Sequence, residues 1–237
     1  MMRYFILLFF LLSFKVFSFQ NDTILKQLEL AIKKRDTYSK KKYGQIENLK
    51  KEVNKHIYKG DKNKLYDDYL LLFKEYQSFR YDSAYYYIEQ AKLVAIKINS
   101  PIKLSRIKIK EGFVLMSSGL FNQAIDTLDS VDLEMLPNAY KFEYYSVKAR
   151  TYYDWADYIG DNRFSLDYIN KGNDFLVKAL LYVDSNTNEY WNTESLRRLK
   201  SQDWEGAKEA YETWINNHDL PTEYYAIATS SLAHVYD

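Results

Sequence analysis

The sequence predicts an all-α fold, an α-α superhelix of stacked helical hairpins preceded by one long helix. Three observations carry this. The 237 residues include only 7 glycines and 3 prolines, too few breakers for the many turns of a β fold. Apolar residues recur at helical rather than alternating spacing. A pattern of small and large residues returns at near-constant intervals from about residue 65 onward, the mark of a repeat array.

Residues 1–18 read as a signal peptide: Arg3 makes a short positive start, Tyr4–Phe14 is a nearly unbroken apolar run, and Val16 and Ser18 are placed for a cut before Phe19. The run is shorter than the roughly 20 apolar residues needed to span a bilayer, and no second run of spanning length follows. Removing it takes away Arg3 and Lys15 and no acid, which moves the formal charge from +1 to about −1. There is no cysteine, hence no disulfide framework, no thiolate metal site and no lipid-anchored cysteine after the leader.

Residues 19–62 form the long basic helix. Ile24, Leu28, Ala31 and Ile32, then Tyr38, Tyr43, Ile46, Leu49 and Val53, fall on a helical period. Asn21 or Asp22 is placed to cap its start, and Gly44 is a candidate bend. Lysines and arginines cluster at 33–35, 40–42 and 50–55. Such a face suits an anionic surface or partner as readily as plain solvation.

The array occupies residues 63–237. Ala84, Ile88 and Ala91 recur in spacing as Ala124, Leu128 and Val131, and again as Ala207, Tyr211 and Trp214. An aromatic residue, Tyr81, Phe121 or Trp204, stands three positions before each leading alanine. Twelve residues upstream lie Leu72, Gly112 and Ser195, so one hairpin geometry is rebuilt each time. Ala149 and Ala233 mark two further first helices. Small residues at these points let one helix lie close to the next. The third unit has a weak second-helix signature and a longer connection expected at 157–163. The chain stops inside what reads as a first helix, so the array is expected to be truncated at its C-terminal end.

This ladder resembles the tetratricopeptide (TPR) motif, with Trp191 as its leading Trp, Leu232-Ala233-x-x-Tyr236 as its middle, and Pro137 and Pro221 near closing positions. More closely, the layout resembles the N-terminal part of Bacteroidetes TPR-containing, membrane-anchored transcriptional regulators that carry a domain of unknown function. The resemblance lies in the leader, in "LKQLELAIKKRDTYSKKKYGQIENLK", in "YLLLFKEYQSFRYDSAYYYIEQA" and in "YYAIATSSLAHVYD". It implies a TPR part outside the cytoplasm, followed in such proteins by a transmembrane helix, a coiled segment and a DNA-binding end.

No catalytic signature is present. His56, His218 and His234 have no metal-ligand spacing, and no nucleophile elbow or phosphate loop occurs. No cofactor or metal is expected. Tyr66, Tyr69, Phe73 and Tyr76 share one helix face, continued by Arg106, Ile109 and Phe113 in the next unit. They read either as a ligand groove or as packing against the long helix. The expected function is an exported, periplasmic or cell-envelope module that senses a peptide, protein or glycan ligand for a membrane-anchored regulator. A stand-alone exported scaffold that captures peptide or glycan is the alternative, and a helical hydrolase with acids on separate helices a remote one. Direct nucleic-acid binding by this chain is not expected, given its near-neutral charge. Membrane contact is expected only through an uncut leader or a missing C-terminal part.

Overall fold

A computed structural model describes the backbone of residues 2–217 and 219–236, and the side chains in those ranges other than those of 2–24, 162 and 217. The described residues are helical with no strand. They fall into two compact units, Met1–Lys55 and His56–Asp237.

The first unit is the body of α1 (Met2–Lys59), a helix of 58 residues. It runs through Asn21 and Asp22 instead of starting there, and through Gly44 without interruption. One glycine costs a helix about 1 kcal/mol against alanine, too little to break so long a run. The expected leader and its cut fall on residues whose side chains lie outside the described set. Among the described residues no helix is long and apolar enough to cross a membrane.

The second unit opens with the last turn of α1, where His56 Nδ1 lies 2.5 Å from an Asp68 carboxylate oxygen. That contact ties the last turn of α1 to α2. Then follow α2 (Lys62–Tyr76), α3 (Tyr81–Ile98), α4 (Pro101–Ser117), α5 (Phe121–Asp129), α6 (Asn138–Ile159), α7 (Asn162–Leu180), α8 (Asn188–Lys200), α9 (Trp204–Asn217) and α10 (Thr222–Tyr236). The hairpins are α2–α3, α4–α5, α6–α7 and α8–α9, with α10 packed on α9 and α8. The fold is thus the all-α, TPR-like hairpin superhelix expected.

Local chemistry explains the boundaries. Asp61 starts α2 by accepting the Lys64 amide (3.1 Å), and Ser100 starts α4 by accepting that of Lys103 (3.4 Å), with Pro101 in the first turn. Thr187 caps α8 through the Tyr190 amide. Asn99 ends α3 at a φ of 57°, and Gly160 ends α6 at 62°, both left-handed positions that halt a helix.

The small residues sit at the helix crossings. Ala84, Ala91, Ala124, Ala149, Ala207, Gly112 and Leu72 are buried. A methyl on Gly112 would stand 2.8 Å from Leu128 of the partner helix. Ala233 differs: it lies on the exposed side of α10, whose buried contact comes from Ala228. First helices earlier in the array have a following helix to lean on, and no described element covers this face of α10.

The third hairpin has its own register. The expected long connection is only Gly160–Asp161, because both helices are extended. The close approach falls at Gly172, where a methyl would stand 2.4 Å from the Tyr153 ring. Gly172, Leu176 and Ala179 repeat the spacing of Ala84, Ile88 and Ala91. Between hairpins, Ile109, Leu128, Val131, Leu136, Tyr144 and Val147 knit α4, α5 and α6 into one apolar cluster. Tyr211, Trp214 and Ala228 do the same for α9 and α10, with Trp191 packed alongside.

Candidate functional site

The aromatic stripe of α2 is core. Tyr66, Tyr69, Phe73 and Tyr76 are all buried. They pack against the helices that follow in the array. The Tyr66 hydroxyl donates to the Lys103 carbonyl at 3.2 Å, and the Lys103 ammonium sits 4.0 Å above the Tyr66 ring. Tyr69 and Tyr76 face Tyr87 of α3, with ring centres 6.2 and 5.5 Å apart. Burial drives the Tyr66 phenol pKa well above its ordinary value, with the neighbouring Arg106 cation opposing the shift. Ile109 is likewise fully buried, inside the α4–α5–α6 cluster. The expected groove therefore loses Tyr66, Tyr69, Phe73, Tyr76 and Ile109 to the interior. It keeps Arg106 and Phe113, each of which is partly exposed and borders a pocket.

What does line the groove is shifted by one position. A pocket of about 460 Å³ between α2 and α4 is lined by Asp67, Leu70, Leu71, Phe73, Lys74, Gln77, Arg106 and Lys110. Asp67, Leu70, Lys74 and Gln77 each follow a stripe residue by one, which on a helix is a rotation of about 100°. The stripe turns toward the core, and the strip beside it faces the opening. A second pocket of about 340 Å³ continues from Gln77 past Phe79, Arg80 and Tyr81 to Phe113 and Ser117.

The groove has an asymmetric charge. Arg106 is half-buried, and its guanidinium carbon lies 4.8 Å above the Tyr140 ring of α6. Its Nε is buried and makes no hydrogen bond, and no described acid reaches it at ion-pair distance. Lys74 is exposed at the rim. Lys110 is engaged by Glu143 of α6. Asp67 is the one acid among the residues lining the two pockets. A cationic, partly apolar trough of this kind can hold a polar chain, but it does not present the pair of convergent acids a helical hydrolase needs.

Charges elsewhere are mostly satisfied within the fold. Lys148, buried in α6, reaches Asp129 and the Tyr144 hydroxyl. Glu194 in α8 accepts from Arg197 and Arg198. Burial alone would raise the Glu194 pKa, but those two guanidinium partners outweigh it and hold the carboxyl below its ordinary value. Of the histidines, His56 pairs with Asp68, His234 is exposed, and His218 lies outside the described residues.

A family model described as the SusR N-terminal TPR domain matches residues 32–237. No curated protein and no solved structure matches. The match begins inside α1 and takes in every hairpin, so it covers the groove as well as the fold. A TPR domain is a non-catalytic repeat fold whose general work is protein interaction. The repeat ladder, the hairpin architecture and this match agree: the chain belongs to the SusR N-terminal TPR domain family.

Proposed function

We propose that this TPR domain is the ligand-sensing module of a membrane-anchored transcriptional regulator, exported so that it works outside the cytoplasm, and that it takes its ligand in the groove between α2 and α4. The family supports the regulator part, and the apolar leader after Arg3 supports export. The observation that carries the site is Arg106, a half-buried cation without an acid partner on a pocket wall. An intramolecular role would normally give a buried charge a partner, and a ligand supplies the missing one. Its neighbours offer a route for a signal: Arg106 touches Tyr140 of α6 and Tyr66 of α2, so a ligand on it bears on the first helices of three successive hairpins.

The test is a binding screen of the purified chain against peptides and oligosaccharides, repeated with Arg106→Ala and Lys74→Ala. At least one ligand is expected to lose about tenfold or more in affinity with each variant. If every detected affinity is indifferent to both, the groove is not the site. Export is tested separately by protease accessibility of the native protein in intact spheroplasts, where protection overturns it. The gene downstream decides between sensor and stand-alone binder: a transmembrane helix and a DNA-binding end support the first, their absence the second.

A further inference from the structure

A separate cavity lies on another side of α2. The last turn of α1, α2 and α3 together line about 350 Å³, at the lower end of the roughly 300–1,000 Å³ of small-molecule sites. From α2 come Lys62, Leu65 and Tyr69, and from α3 come Gln90, Leu93, Val94 and Lys97. Spacings of three and four residues put each set on one helix face. On α2 that face is centred about 140° from Asp67, Leu70 and Lys74, which line the groove with α4.

This cavity has a cationic end and an apolar middle. α2 and α3 form a hairpin, so Lys62 at the start of α2 and Lys97 near the end of α3 stand at the same end. Neither has an ion-pair partner among the described residues. Asp61, the acid beside Lys62, is engaged by the Lys64 amide at 3.1 Å and by the Lys64 ammonium at 3.9 Å. His56 also lines the cavity, and Asp68 already matches it. No acid is among the described lining residues. Past the lysines the lining is Ile57, Leu65, Leu93 and Val94. Ile57 and Leu93 are 54% and 50% exposed, so apolar surface stands open to water at the mouth. Tyr69 and Gln90 stand at the far end. The face from Lys62 to Tyr69 is about 10 Å long.

We infer that this cavity takes an amphipathic anion about 10 Å long, with its head at Lys62 and Lys97 and its apolar body along Leu65, Leu93 and Val94. The body covers the exposed leucine and isoleucine surface, and the head supplies the negative charge that the two lysines lack. A cationic amphiphile would meet two like charges there, and a neutral one would leave both lysines unmatched. Carboxylate and phosphate heads share this chemistry, and the probes separate them.

Isothermal titration calorimetry on the purified full chain tests it, with octanoate, octyl phosphate, octanol, octylamine and butyrate as probes. Octanoate or octyl phosphate is expected to bind, and the tighter of the two identifies the head. Octanol and octylamine are expected to bind more weakly by about fivefold or more. Each buried methylene is worth about fourfold, so butyrate should fall below octanoate by about tenfold or more. Lys62→Gln and Lys97→Gln are each expected to weaken the anion by about two- to fivefold, more so at low salt, and to leave octanol unchanged. Both lysines are exposed, so neither change disturbs the core. Leu93→Asn should weaken octanol and the anions alike. Lys74→Ala, in the groove with α4, should leave every probe unchanged. Octanol binding as tightly as the anions overturns the anionic class. Anion binding that ignores both lysine variants, or that is lost with Lys74→Ala, overturns the site. Absence of binding by both anions overturns the inference as a whole.

Discussion

Gly112 and Gly172 show how finely two helices are fitted together. A methyl at Gly112 would meet the Leu128 side chain at 2.8–2.9 Å, whereas at Gly172 it would meet the Tyr153 ring at 2.4 Å. Leu128 can shift by rotating about its own bonds. The Tyr153 ring is rigid, buried, and held by its hydroxyl donating to Asn173 at 2.7 Å. Alanine recovers up to about 1 kcal/mol of helix propensity, and overpacking costs about 1–3 kcal/mol. Gly172→Ala is therefore expected to lower the urea midpoint clearly and Gly112→Ala to lower it less. A Gly172→Ala protein as stable as the parent would show that the hairpin is looser than its geometry. Glu194 gives a pH-dependent counterpart. Its folded pKa lies below the unfolded value of about 4.3, so the unfolded chain binds more protons in that window. The stabilisation is complete above the unfolded value and is lost as pH falls through the folded one. Glu194→Gln should thus be less stable than the parent at pH 7, and the gap should narrow below about pH 4. A gap that is unchanged at pH 3 would mean that Arg197 and Arg198 contribute nothing through charge. The groove residues were only half legible at this scale. Arg106 stood out in the sequence as a cation among apolar positions. The tyrosine stripe also stood out, but periodicity reports that a face exists, not whether it turns inward, and Lys74 and Gln77 were missed one step away.

At the scale of the helix pair, a fixed register explains both what was readable and what was not. Three hairpins place the second-helix alanine twelve residues after the first-helix position, while in the third Gly172 follows Ala149 by 23. The added length is shared by both helices: Ala149 lies ten residues before the end of α6 and Gly172 ten after the start of α7, against four and three in the first hairpin. The inward faces of α6 and α7 still meet, with Ala149, Tyr153 and Leu176 in one cluster. A search for one constant interval cannot see this, and a glycine in place of alanine hides the small residue further. The spacing of Gly172, Leu176 and Ala179 was nevertheless present to be read. The same logic separates two alanines that look alike in sequence. Ala207 is fully buried where α9 meets α8, and Ala233 is exposed on α10. Ala207→Leu is expected to cost about 1–3 kcal/mol by overpacking, and Ala233→Leu to stay within about 0.5 kcal/mol. Thermal melts of the two variants check this. Equal losses would mean that the exposed face of α10 is covered in solution.

Among the described residues of the second unit, the main contacts run between neighbouring hairpins: α2–α3 meets α4, the α4–α5 pair meets α6, α7 meets α8, and α10 meets α9 and α8. Stability in such an array is a sum of local terms and nearest-neighbour interfaces, so damage at one place spreads only as far as the coupling between adjacent hairpins carries it. Trp214 provides the test. It is completely buried between α9 and α10, and its indole N–H donates to Asn188 Oδ1 at 2.9 Å, which ties α9 to the start of α8. Trp214→Ala removes the largest fully buried side chain among the described residues and leaves the Asn188 oxygen without its donor, a loss of about 3–5 kcal/mol. Hydrogen exchange should then show α8, α9 and α10 losing most of their protection, α6 and α7 losing some, and α2–α5 keeping theirs. In the parent chain, α10, with Ala228 as its one buried residue among those described, should already exchange fastest of the second unit's helices. If Trp214→Ala instead lowers protection evenly from α2 to α10, the hairpins fold as one cooperative block. A ligand bound between α2 and α4 would then be felt at the far end of the array. If protection is lost in steps, the influence of that ligand must travel helix by helix through contacts such as Arg106 on Tyr140, and weakening any one interface along the way should uncouple the groove from α10 without affecting binding.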